Sequence, residues 1–347
     1  MINMGNKKEE LLSFPKAQQI QENIEVKNET KKMYQGTATN KLATINTKKI
    51  IVDSITGNAT IEDNGIKILL ENHKNLKAGL RISTQKLLDI SIVYLTANNH
   101  YKEADINKVN TDVSIPLKEY ARHLGCDVTL RINKKSSEEE IEKEKSRVKN
   151  LIGKIRTKVK EDLETLDKMI LSWVEPKKGK KGSDLDYENI SMLQKHGIKN
   201  GVINLRFTQD IAFYLNNSYL TNYPTKLLTL DERNPLSYQL GRKLSLHSNI
   251  ENNIKNGTQD IISIKILLKT IGSLRTLEEI NEKDPGHWEE RIKNPLENAL
   301  NILQDNGILN YWEYSNTKGA PLRDEQIEIN SYKIFEELYI HFEINKD

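Results

Sequence analysis

Between Lys143 and Lys160 the chain carries eight basic residues and a single acid, Glu144. Cations at that density have one chemistry to offer: they neutralise phosphate esters and displace their counterions. Stepping about 100° per residue around a helix gathers Ile141, Val148, Leu151, Ile155, Val159 and Leu166 into one apolar stripe. Lys145, Lys149, Arg156 and Lys160 flank the stripe on one side, and Lys143, Arg147, Lys154 and Lys158 on the other. Opposite the stripe lie Ser146, Asn150, Gly153 and Thr157, all small or polar. A slim polar ridge between two cationic rails suits a duplex groove, with rails on phosphates and ridge on base edges. The plain alternative is a solvated amphipathic helix, against which the eight-to-one imbalance argues.

Two further segments carry related chemistry. PKKGKKGSD (176–184) places Lys177, Lys178, Lys180 and Lys181 in a turn, where flexible ammonium groups either meet phosphates or stay solvated. The segment 285–307 turns Trp288, Ile292, Leu296, Ala299 and Leu303 inward and Arg291, Lys293, Asn294, Asn298 and Asn301 outward. Arginine pairs with guanine and asparagine with adenine through two hydrogen bonds each, although asparagine is also what a low-G+C gene supplies by drift. Pro295 either kinks this helix or restarts it, with Asn294 as N-cap and Glu297 completing a capping box.

Catalytic patterns are missing. Neither Gly153-Lys154 nor Gly179-Lys180 has the spacing or the following Ser/Thr of a phosphate-binding loop. The histidines form no His-x-His pair, and HxxR, HExxH and GxSxG do not occur. One cysteine, Cys126, excludes an intrachain disulfide framework and cysteine-based zinc sites. The expectation is a non-enzyme without cofactor or metal.

The elements that must position these residues follow from period and punctuation. A hairpin is expected in 50–70, a helix in 83–99, a strand then a helix in 111–125, and a long helix in 136–170 that opens on a Ser cap and three glutamates. Strands are expected at 170–175, 188–194 and 202–207, with PKKGKKGSD as the tip of the first hairpin wing. A linking helix (208–220) precedes a second round: helix 234–253, strand and helix 261–272, helices 276–283 and 285–307, then strands 308–315 and 336–344. Trp173 and Trp312 are expected to pin corresponding wing strands, and His247 to be a satisfied or surface histidine.

One order thus occurs twice, and it is that of a winged helix, whose second helix enters the major groove. The expected fold is α+β, with two tandem winged-helix domains. A disordered arm (1–42) precedes a first domain (43–215), a linker (216–232) and a second domain (233–347). At 347 residues the chain has room for two cores. A net charge of +3 is too small to indicate nucleic acid by itself. No apolar run approaches the ~18–20 residues of a membrane helix, and Met1–Leu12 lacks a signal-peptide core, so a cytoplasmic protein is expected.

GIKNGVINLRF (197–207), YLTNYPTKLLTLDERNPLSYQLGRKLSLH (219–247) and WEYSNTKGAPLRDEQ (312–326) resemble the plasmid-type replication initiator protein A of low-G+C bacteria, a theta-type initiator family. The likeness runs from about residue 50 to the C-terminus and is strongest over 197–326. It implies two tandem winged helices that bind repeated double-stranded origin sequences, melt adjacent A+T-rich DNA and recruit a host helicase or helicase loader. It also implies exchange between homodimers, which repress their own gene, and replicating monomers. A transcriptional regulator of a mobile element and a replisome scaffold that does not touch DNA are the competing readings.

Overall fold

The computed structural model describes residues 30–44, 50–63, 66–76, 80–132, 136–175, 185–281, 286–317, 319–320, 322 and 329–345. Residues 1–29 of the expected arm lie outside them. Residues 30–42 correct that expectation. Thr30–Gln35 form a strand, β1, and Thr37–Thr44 a helix, α1. Met33, Tyr34 and Ala38 are fully buried and Leu42 nearly so. These four apolar groups are too widely spaced to show as one periodic run, yet together they anchor the segment. The close turn between β1 and α1 needs Gly36, where a Cβ would fall 2.6 Å from the Tyr214 ring.

The first unit begins with β2 (Ile51–Val52), β3 (Ala59–Asp63) and β4 (Ile66–Leu70), the last alternating buried Ile66, Ile68 and Leu70 with more exposed neighbours. Helix α2 (Ile82–Ala97) follows, and every residue from Ile82 to Thr96 is buried. A helix enclosed on all sides must sit centrally, and its polar residues must find partners there. Strand β5 (Asp112–Pro116) runs into α3 (Leu117–His123), with Pro116 at the helix entry and Gly125 closing it at φ +72°. Helix α4 (Glu138–Asp167) starts on the expected cap: Ser137 Oγ accepts from the Glu140 N–H (3.2 Å) and the Glu140 carboxylate from the Ser137 N–H (2.8 Å). Next come β6 (Met169–Glu175), β7 (Leu185–Ser191), β8 (Leu193–Lys199), β9 (Val202–Phe207) and α5 (Gln209–Asn216).

Strand pairing separates these into two sheets. One has the order β2-β3-β4-β6-β7, the other β5-β9-β8. The second, with α2, α3 and α4, is the winged helix, and its wing is therefore β8–β9, not β6–β7. The wing turn is Asn200-Gly201, with φ of +53° and +75°, the left-handed pair that matches strand twist. Trp173 accordingly belongs to the five-stranded sheet, stacked on Tyr187 at 4.4 Å, and does not correspond to Trp312.

Strand β10 (Tyr219–Pro224) pairs along the whole of β1, and the turn after it, Thr225–Thr229, buries Leu227 and Leu228 completely. The expected linker 216–232 is thus an internal wall of the molecule. The second unit comprises α6 (Pro235–Asn249), α7 (Glu251–Lys255), β11 (Ile261–Ser263), α8 (Ile264–Thr270), α9 (Leu277–Asn281), α10 (Asn294–Asp305), β12 (Leu309–Ser315), α11 (Tyr332–Glu337) and β13 (Tyr339–Ile344). Its sheet order, β11-β13-β12, repeats that of β5-β9-β8. In each unit the strand after the first helix pairs with the last strand, and the last with the one before it. The fold is two tandem winged helices, and a single buried apolar cluster runs through both.

Candidate nucleic-acid interface

At 30 residues and 1.5 Å per residue, α4 is about 45 Å long. Its inner face is set by buried Val148, Ile155, Val159, Leu163 and Leu166. Its outer face holds Lys143, Lys145, Ser146, Lys149, Asn150, Gly153, Lys154, Arg156, Thr157 and Lys160, all exposed. Lys145 rests 3.6 Å from Glu142, an exposed pair of little consequence. Lys143, Lys149, Lys154, Arg156 and Lys160 have no carboxylate partner among the described residues. Thr157 Oγ1 donates back to the Gly153 carbonyl at 3.2 Å.

The two rails are not equivalent. Arg147 and Lys158 lie where the flank curves into the core, and both are half-buried. The Arg147 guanidinium bonds Glu144 (3.0 Å) and donates to the carbonyls of Asp127 (3.0 Å) and Thr129 (2.8 Å), which holds the loop between α3 and α4. Lys158 pairs with Glu232 in the loop before α6. These two cations are spoken for within the protein. The rail of Lys145, Lys149, Arg156 and Lys160 is open along its length.

α4 is held from behind. Asp162, 1% exposed, accepts from Thr84 Oγ1 (2.7 Å), Ser83 Oγ (2.9 Å) and Arg81 Nε (3.1 Å) at the start of α2. Burial pushes the Asp162 carboxyl upward, and the three donors oppose that.

In the second unit, residues 289–293 form a π turn that continues into α10. The Asn294 N–H bonds the Glu289 carbonyl, one residue further back than in an α-helix. Pro295 explains this: it has no N–H, and its ring would crowd the carbonyl four residues earlier, so the chain takes up one extra residue there. The helix is neither broken nor restarted. Asn294 has helical angles and makes no side-chain cap, so of the two alternatives at Pro295 the restart with a capping box is not the one the chain takes. Arg291, Asn294, Asn298 and Asn301 are all exposed, while Ile292, Leu296, Ala299 and Leu303 are buried as expected. Lys293 is half-buried, 4.0 Å from Glu289. Asn301 Oδ1 accepts from Trp312 Nε1 (3.0 Å), and Glu297 Oε1 from Tyr314 OH (2.8 Å). Both bonds fasten the outer face of α10 to strand β12.

Lys177, Lys178, Lys180 and Lys181 lie outside the described residues. The strands on either side of them, β6 and β7, belong to the five-stranded sheet. The wing proper brings forward Lys199, exposed beside the Asn200-Gly201 tip. The segment HGIKNG (196–201) reads from sequence as a turn with no contact assigned to Lys199, whereas β8 runs through Lys199 and leaves Asn200-Gly201 as the tip; the Lys-Asn-Gly tripeptide is the signal that marks it. His247 is satisfied: Nε2 faces the Thr258 and Ile261 carbonyls at 3.0 and 2.8 Å, and burial lowers its pKa.

No protein-family profile matches this sequence, and no curated protein matches it. The solved structures that match this chain include the following two, both at low superposition scores. The Pi initiator protein in complex with iteron DNA superposes with a TM-score of 0.49 at 11% identity, over 92% of this chain and 99% of that one. Domains 2 and 3 of RctB give a TM-score of 0.39 at 9% identity, over 89% and 99%. The winged-helix assignment rests on the strand order and chain order described above. Among the described residues no helix is long and apolar enough to cross a membrane, and no three His, Cys, Asp or Glu side chains are grouped to hold a metal ion.

Proposed function

We propose that the chain is a sequence-specific, double-stranded-DNA-binding replication initiator of a plasmid or related mobile element. The observation that carries the DNA-binding part is the outer face of α4. It is a 30-residue helix whose exposed cations face solvent, Lys143, Lys149, Lys154, Arg156 and Lys160 of them without carboxylate partners among the described residues, in the position a winged helix uses for the groove. Burying basic groups in the core would leave such a face neutral; here only Arg147 and Lys158 are withdrawn. A second unit of the same topology offers Arg291, Asn294 and Asn298, side chains able to pair with base edges. Two units in tandem suit a site of two segments on one duplex.

The initiator part is supported by the resemblance of 197–207, 219–247 and 312–326 to theta-type initiators. In this reading the protein binds repeats near its own gene, acts without chemistry of its own, and passes the melted origin to a host helicase or loader. A homodimer serves as its repressing form. Footprinting on the DNA flanking the gene, followed by replication of a test plasmid carrying the protected repeats, decides the matter. Protection without replication leaves a transcriptional regulator. No protection at low salt ends the DNA-binding reading.

A further inference from the structure

Between the two outward-facing helices runs a series of buried joints. α4 is fastened to α2 by the Asp162 cluster. α2 is fastened to α6 by Asp89 and Arg242, each 2% exposed, with Nε to Oδ2 at 2.7 Å and Nη2 to Oδ1 at 3.0 Å. α6 meets α10 at Gly241, where a Cβ would stand 2.5 Å from the Leu227 side chain and 2.8 Å from that of Leu303, so Leu303 of α10 packs directly on the α6 backbone. The middle joint draws on every segment near it. Tyr238 OH donates to Asp89 Oδ2 (2.6 Å), Tyr223 of β10 lies 3.3 Å from Tyr238 OH, and Arg242 Nη1 donates to Asn40 Oδ1 of α1 (3.1 Å).

A buried ion pair is a poor source of net stability, because desolvating both charges offsets their attraction; its best use is to specify one arrangement over others. A bidentate guanidinium–carboxylate pair fixes both distance and rotation. An apolar contact of the same area would let α2 slide on α6. The β1–β10 ribbon adds a second constraint, since β1 packs against α2 and β10 against α6.

We propose that Asp89, Arg242, Tyr238 and Asn40 are positioning residues that hold α4 and α10 at one spacing, so that the protein accepts only DNA whose two contacted segments are separated by a set number of base pairs. This rests on the DNA-binding reading above. The residues touch no DNA; they act through the helices they join.

The test uses the full chain and has two arms. Labels at Ser146→Cys on α4 and Gln304→Cys on α10, in a Cys126→Ser background, report the distance between the helices without DNA. The parent is expected to give one narrow distribution, and Arg242→Lys, Tyr238→Phe and Asn40→Ala broader ones. Arg242→Lys keeps the charge and loses the fork; Tyr238→Phe removes the hydroxyl's contacts with Asp89 and Tyr223, Asn40→Ala removes one bond to Arg242, and both keep the Asp89–Arg242 pair if that pair itself proves essential for folding. In the second arm, a duplex selected from a random pool is rebuilt with one, two or five base pairs inserted between its protected segments. The parent should lose at least tenfold in affinity on a two-base-pair insertion, and the variants should lose less than a third of that. A merely structural role would lower affinity for every duplex alike and leave this ratio unchanged. An unchanged ratio, or a broad distribution in the parent, overturns the positioning claim. Failure to bind any duplex overturns the DNA-binding reading, while the distance arm still reports on the joint.

Discussion

Arg147 and Arg156 occupy the same helix, nine positions apart, and their environments give them opposite roles. Arg156 is exposed, and its replacement by Ala should weaken preferred and random duplexes equally and lower the salt slope by about one. Lys149→Ala and Lys160→Ala should do the same. Arg147→Ala should instead lower the melting temperature, because the carbonyls of Asp127 and Thr129 lose their donors. Titrating each variant at three salt concentrations beside a melt separates the two; an Arg147 variant with wild-type stability would refute its assignment. In the second unit Arg291→Ala or Asn298→Ala should cost cognate DNA alone about 1–3 kcal/mol for each bidentate base pairing removed. Retention of the parental cognate-to-random ratio would show that α10 does not read bases. Lys86 makes a prediction in pH. It is 2% exposed, bonded to the Leu230 carbonyl, and burial lowers its pKa from 10.5 to about 8. Above pH 8 the folded chain has released this proton while the unfolded chain still holds it, so this group adds stability as pH rises from about 8 towards 10. Lys86→Met should abolish that rise relative to the parent and leave the variant as stable or more so at pH 7. Parallel denaturant titrations at pH 7 and 9.5 measure the difference.

Among the elements, the N-terminal strap is the strongest claim. β1 and α1 place Met33, Tyr34, Ala38 and Leu42 against α2, β10 and their neighbours, all at 1% exposure or less. At about 1.5–3 kcal/mol for each large apolar side chain, their removal rivals the roughly 5–15 kcal/mol that typically holds a domain together. A chain starting at residue 45 should therefore lose its cooperative melt, or melt more than about 10 °C below one starting at residue 30. Equal melting points would disprove the strap. The helix α4 was legible in the sequence to within a few residues, because its Ser137–Glu140 box, first-turn glutamates and apolar stripe are all local signals. The wing was not. The residues mark strands at 188–194 and 202–207 and read HGIKNG between them as a turn, and nothing in a strand's own residues says which neighbour it pairs with. The pairing of β5 with β9 links residues about 90 positions apart, and it moved the wing from the lysine turn to Asn200-Gly201.

For the whole molecule, the two units are expected to unfold together. The core is continuous, and Leu227 and Leu228 of the connecting segment lie at 0% exposure within it. Trp173 reports on the first unit and Trp288 and Trp312 on the second. Single-tryptophan variants should give coincident denaturation midpoints, equal to that from circular dichroism. Two separate midpoints would show independent domains.

Short-range signals in the chain specify the repeated order of helices and strands, the caps and stops of α3 and α4, the inward faces of α4 and α10, and the density of cations from Lys143 to Lys160. Each of these is written in residues within a few turns of one another. Long-range packing settled which cations face solvent, where the wing lies, and that residues 30–44 and 216–232 belong to the core. It also brought Asp89 to Arg242, 153 residues away. Burial and partnership depend on which surfaces the chain brings together, and that information is spread over residues far apart in the sequence.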